Sequence, residues 1–205
     1  MASHRVTLTS ARAHVRGLAE EDIVAVAIQT REWTLAEMHR LPEDGNKYEL
    51  VRGELFVTPA PRDEHESIAA RLNDMLAPYV KLQGLGQVFR PRAVMRYRGS
   101  EVEPDLMVRA RHPDRRGDDS DWTRAPIPIL VVEILSDYTR HRDRREKKEL
   151  YMDAGVAEYW IVDAEERSIT VVRPGAAELT THDLLSWSPK GASNPLSFKV
   201  ADVFD

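Results

Sequence analysis

The chain has 205 residues, 42% hydrophobic and 31% charged, with no cysteine and a formal net charge of −5. That length supports one domain with a sizeable core, and the lack of cysteine excludes disulfides and zinc–thiolate sites and fits a reducing, cytoplasmic setting. No apolar run approaches membrane-spanning length, and the acidic balance argues against a generally basic nucleic-acid coat. Charge is unevenly spread, however: between Arg90 and Lys148 there are 15 basic and 11 acidic residues, so the middle of the chain can present one face to a polyanion.

Residues 1–30 read as an N-terminal extension, disordered or loosely docked, ahead of a single domain at 31–205. Thr34-Leu-Ala-Glu37 has the form of a capping box and opens a short helix that Pro42 and Glu43-Asp44-Gly45 bring to an end. Lys47–Val51 and Glu54–Val57 flank Arg52-Gly53, which predicts a β-hairpin with a two-residue turn. From His65 to Val80, positions Ile68, Leu72, Met75, Leu76 and Tyr79 recur at helical spacing, with Pro78 expected to fray or end that helix. Val88–Tyr97 reads as extended, with Arg90, Arg92 and Arg96 on one side of a continuous strand and Pro91 marking an edge or a bulge. An exposed edge there could support a homodimer. Leu106–Val108 is a short strand entered through Pro104. Residues 109–126 read as a loop whose Gly117–Asp121 run lacks the spacing of a calcium loop.

The centre of the chain is 128–160. The run Ile129 to Val132, then Glu133, then Ile134 and Leu135 predicts a strand buried on both faces, in which a carboxylate is costly unless paired or metal-bound. A charged helix from Arg140 to Ala154 follows, closed by Gly155, and then strands at Tyr159–Val162 and Ile169–Val172. Residues 174–205 are turn-rich, with Leu184, Leu185 and Trp187 among the expected packing contacts. The alternation describes a mixed α/β domain, a central sheet flanked by helices.

Three acids sit on or beside strands: Glu54, Asp105 and Glu133. Carboxylates that converge repel unless they share a proton or a cation, and oxygen-only ligation suits magnesium or manganese. Lys147 lies four residues after Asp143 and four before Tyr151, so the three follow one side of the helix. Spacing alone leaves an ordinary helix ion pair open beside a metal site.

The blocks Leu-Pro-Glu-Asp-Gly at 41–45, Tyr48-Glu-Leu-Val-Arg-Gly-Glu54, Glu103-Pro104-Asp105-Leu and Val132-Glu133-Ile-Leu-Ser136 stand in that order. They are followed by Asp143-Arg-x-x-Lys147-x-x-x-Tyr151-x-x-x-Gly155-Val-x-Glu-Tyr-Trp160. Together they resemble the Uma-type endonucleases of the PD-(D/E)XK superfamily, over about Glu32 to Val172. The resemblance implies a restriction-endonuclease-like core acting as a metal-dependent phosphodiesterase. Asp105 and Glu133 match its metal-holding acids, and Glu54 matches a further metal or water ligand. Leu135 occupies the superfamily's usual lysine position, so Lys147 on the next helix is the matching lysine. His65 is a weaker candidate. The implied substrate is nucleic acid, DNA foremost, held through Arg92, Arg96, Arg142 and Arg144, with Mg2+ or Mn2+ as cofactor. Two other readings stand beside this one: a non-catalytic binding module on the same fold, and an enzyme of small phosphorylated substrates.

Overall fold

The computed structural model describes residues 31–60, 62–110, 125–137 and 139–205, which belong to one compact unit, Arg31–Asp205. The N-terminal extension and the Gly117–Asp121 loop lie outside the described residues.

Thr34 caps helix α1 (Leu35–Met38) through the capping box: its hydroxyl accepts from the Glu37 amide while the Glu37 carboxylate accepts from the Thr34 amide. Strands β1 (Lys47–Val51) and β2 (Glu54–Thr58) form the hairpin. Arg52 and Gly53 both take positive φ, as a two-residue turn matched to strand twist requires. Helix α2 (Asp63–Leu82) continues past Pro78 without a break. The expected break does not occur because Leu76, Tyr79 and Val80 are all buried around it, and that burial outweighs the roughly 3 kcal/mol a proline costs a helix interior.

The extended stretch after Gly86 is two strands rather than one. Strand β3 (Gln87–Phe89) is an edge of a six-stranded sheet. Strand β4 (Met95–Tyr97) pairs with β5 (Ser100–Val102) in a separate four-stranded sheet, ordered β2-β1-β5-β4. Of the arginine stripe expected of a continuous strand, only Arg96 lies on a strand, and Arg90 and Arg92 fall in the connection between β3 and β4. Strands β6 (Leu106–Arg109), β7 (Leu130–Ile134), β8 (Glu158–Asp163), β9 (Ser168–Val172) and β10 (Leu179–Thr181) complete the larger sheet, ordered β10-β9-β8-β7-β6-β3. Among the described strands of this sheet only β7 and β8 pair in parallel, and helical segments α3 (Arg140–Arg142) and α4 (Lys148–Ala154) cross between them. Between α3 and α4, Asp143–Lys147 forms a π-helical turn, and Gly155 closes α4 at φ +85°. The C-terminal region adds a two-stranded sheet, β11 (Leu184–Trp187) and β12 (Leu196–Lys199).

Alternation along β7 and β8 divides the core. Leu130, Val132, Ile134, Trp160 and Val162 pack with α2, Trp187 and Phe198, whereas Val131, Tyr159 and Ile161 pack with α4 and the four-stranded sheet. Glu133 shares the second face with Val131, which aims it at β1 and the π-helical turn. Leu184, expected in the core, is 60% exposed, because the alternation of β11 buries Leu185 and Trp187 instead.

Gly86 sets how closely β3 approaches β6. Its φ is +133°, and a Cβ there would lie 1.9 Å from the Arg109 carbonyl oxygen. Gly86→Ala is expected to destabilise by more than about 1 kcal/mol, read as a lower urea midpoint at unchanged m-value.

Candidate active site

Register alone brings two acids together. Leu106 pairs with Val132, so Asp105, just before β6, stands opposite Glu133 on β7. The Asp105 carboxylate is fixed from two directions: Oδ2 accepts the Ile134 amide at 2.8 Å and lies 3.1 Å from His65 Nε2 in the first turn of α2. Glu133 Oε1 accepts from Lys147 Nζ at 2.8 Å and from the Tyr151 hydroxyl at 2.5 Å.

A third acid, Glu49, joins from β1. It is fully buried: Lys147 Nζ lies 2.8 Å from its Oε1, the Glu103 amide donates to the same oxygen at 2.9 Å, and Arg142 approaches Oε2 at 3.3 Å. Lys47, two residues earlier on the same face of β1, places Nζ 3.1 Å from the Glu103 carbonyl and 3.6 Å from Asp105 Oδ1. Asp143 lies 3.7 Å from Lys147 Nζ. Through the π-helical turn, Arg142, Asp143 and Lys147 are all buried, although the segment as a whole is strongly charged.

Burial and mutual repulsion pull these groups apart electrostatically. Burial, with the charges of Asp105 and Asp143, pushes Glu133 up to about 7 despite Lys147. Burial would also raise Glu49, but Lys147, Lys47 and Arg142 outweigh it and hold Glu49 at about 2. Burial is likewise overcome at Asp105, by Lys47, His65 and the Ile134 amide, which hold it below the usual carboxylate range. Lys147 keeps its proton: burial would lower it, but Glu133 and Glu49 raise it further.

A pH dependence follows. Glu49 and Asp105 are depressed below their unfolded values, so the stability they contribute is complete above about pH 4.5 and is lost as pH falls toward 2. Glu133 runs the other way, its contribution present below about 4.5 and lost as pH rises through 7. Acid unfolding followed by the buried Trp160 and Trp187 is expected in the lower window, and Glu49→Gln should flatten that limb.

Asp105, Glu133, His65, Lys47 and Lys147 line a cleft of about 680 Å³ whose wall carries more carboxylates than lysines and arginines. Glu54 is not among them. It stands exposed at the turn end of the hairpin, four residues along β2 from Thr58 at the cleft. The hairpin acid that stands beside Glu133 and Lys147 is Glu49; its signal was the alternation Lys47-x-Glu49-x-Val51, which puts two charges on a buried face.

Of the four arginines expected at nucleic acid, Arg92 stands exposed on the cleft wall. Arg96 is bonded to Glu101, and Arg144, 40% exposed, donates to Asp163 at 3.0 Å. Arg142 lines the cleft but is buried, donating to Thr58 Oγ1 at 2.9 Å with its guanidinium over the Phe56 ring, because the turn that carries it faces β1 and β2.

Among the described residues no three or more His, Cys, Asp and Glu side chains gather as a ligand cage. Asp105 and Glu133 nonetheless fit a hard divalent ion, since magnesium and manganese take one or two carboxylates and complete their shell with water and substrate phosphate. The buried Glu49 Oε2 and Asp143 Oδ1 accept no hydrogen bond and are faced only at ion-pair distance, by Arg142 at 3.3 Å and 3.8 Å and, for Asp143, by Lys147 at 3.7 Å. No helix among the described residues is long and apolar enough to cross a membrane.

The fold has a solved counterpart. The crystal structure of a "putative nuclease belonging to DUF820" from Anabaena variabilis is similar to this chain with a TM-score of 0.68 at 22% identity, covering 84% of this chain and 97% of that one. No protein with a curated description matches the chain. The blocks that bring Glu49, Asp105, Glu133 and Lys147 together all fall within residues 35–196, the span matched by the model of Uma2, described as "Putative restriction endonuclease", and the chain belongs to that family.

Proposed function

We propose that this chain is a divalent-metal-dependent nuclease that hydrolyses phosphodiester bonds, with DNA as its substrate. The observation that carries the reading is the facing pair Asp105 and Glu133 in an open cleft, with a buried lysine bonded to one of them. Membership of the family supports it.

Asp105 and Glu133 would hold the ion. It would supply Lewis acidity, making water more acidic and drawing charge from the phosphoryl oxygen. His65 and the Ile134 amide fix the Asp105 carboxylate, so little reorganisation is needed when substrate arrives. Lys147 and Tyr151 fix Glu133 in the same way. Two of the three Lys147 donors are spent on Glu133 and Glu49, so the buried ammonium holds both carboxylates in place from behind the cleft. Hydrolysis forms one bond from water oxygen to phosphorus and breaks one to the leaving sugar oxygen. The water gives up a proton, and the leaving oxygen takes one up.

The test is cleavage of supercoiled, linear and single-stranded DNA, and of RNA, with Mg2+ or Mn2+ and then with EDTA. Metal-dependent nicking that EDTA abolishes is the expected result. Binding without cleavage under every condition would replace the enzyme with a binding module on the same fold.

A further inference from the structure

We propose that Lys47 is a second, cleft-facing catalytic lysine that contacts the scissile phosphate beside Asp105, a role that rests on the nuclease reading above. The site holds two ammonium groups, and their surroundings differ. Lys147 has no exposed side-chain surface, and its Nζ lies 2.8 Å from Glu133 Oε1 and 2.8 Å from Glu49 Oε1. It is held as an internal counter-ion is held. Lys47 is 19% exposed and lines the cleft. Its carboxylate neighbours lie 3.6 Å away at Asp105 and 4.0 Å away at Glu49, beyond ordinary hydrogen-bond length. The hydrogen bond the structure gives its Nζ goes to the Glu103 carbonyl at 3.1 Å.

An ammonium carries three donors, so Lys47 has capacity to spare at the surface where a substrate would lie. Its stem starts on β1, which is paired on both edges, by β2 and β5, so the group is carried by a rigid element rather than a loop. A phosphate oxygen placed at Asp105 would meet this ammonium before any other lysine of the site. The contact would strengthen as negative charge builds on the phosphoryl oxygens in the transition state. The plain alternative is that Lys47 only neutralises Asp105 and Glu49.

The two roles separate by salt dependence. Each phosphate contact on duplex DNA contributes about 0.9 to the slope of log affinity against log salt concentration. A labelled duplex titrated in EDTA should therefore show a slope lower by about 0.9 for Lys47→Gln, and the wild-type slope for Lys47→Arg. With Mg2+ present, Lys47→Gln should lower kcat by about 100-fold, the effect of removing one charge-stabilising donor, and Lys47→Arg should recover part of it. Thermal melting of both variants checks that the fold is kept.

A wild-type slope in a folded Lys47→Gln overturns the contact, whatever happens to the rate, because a purely neutralising lysine can alter rate without touching phosphate. Wild-type cleavage together with unimpaired Lys47→Gln overturns the lysine while leaving the nuclease intact. A wild type that neither binds nor cuts any nucleic acid removes the nuclease reading itself, and the lysine's role with it.

Discussion

Lys147→Met is expected to destabilise the fold by about 3–5 kcal/mol, the cost of leaving buried charge without its partner. Its ammonium is fully buried between Glu133 and Glu49, 2.8 Å from an oxygen of each, with Asp143 at 3.7 Å. Methionine matches the length of the stem but leaves these carboxylates facing one another. A surface pair would lose only about 1 kcal/mol or less on the same change, so the magnitude discriminates. The loss should also depend on pH. Glu133, already pushed up to about 7, would rise further without the ammonium and hold a proton that the unfolded chain releases near 4.5. A folded state that binds more protons loses stability as pH rises, so the destabilisation should be larger at pH 8 than at pH 6. Adding Glu49→Gln removes one of the stranded charges and should recover part of the loss. Urea denaturation of the single and double variants at the two pH values measures all of this. A loss below about 1 kcal/mol at both would show that Lys147 is not a buried counter-ion.

The frame of the candidate site was legible in the sequence where a residue's environment is set locally. The apolar run around Glu133, the cap at Gly155 and the turn at Arg52-Gly53 each specify their backbone within a few residues, and each stands as read. The misplacements arise where the environment is set from a distance. Arg142 sits in a segment so rich in charge that it reads as solvated. It is buried because the π-helical turn changes the angular spacing and a four-stranded sheet closes over it. Glu49 and Glu54 lie on one hairpin and look equally eligible as acids. Only the pairing of β1 with β5 makes Glu49 internal, whereas Glu54 stays on edge strand β2 beside the turn. The strands β10, β11 and β12, each of three or four residues, are too short for alternation to separate them from turns. Pro78 was read by its intrinsic cost, and the burial that offsets this cost comes from the sheet beneath α2.

Asp105→Asn is expected to remove metal-dependent cleavage by about 1,000-fold or more, the scale of the several kcal/mol that charge stabilisation by an ion supplies. Asparagine keeps the size of the side chain and an oxygen that can accept the Ile134 amide, so the link between the β6 entry and β7 survives. What it removes is the negative charge opposite Glu133. Glu133→Gln removes the other half of the pair and should abolish binding of Mn2+ by calorimetry, as Asp105→Asn should. Glu54→Gln should bind as the wild type does, because that carboxylate is exposed at the far end of β2. The contrast matters more than any single loss. Three substitutions of equal chemical size, two in the cleft and one outside it, separate loss of the ion from a general effect of charge. A folded Asp105→Asn that still cuts within tenfold of the wild type would mean that the facing acids do not seat the ion. The buried carboxylates would then be structural, and the cleft a surface for binding rather than hydrolysis.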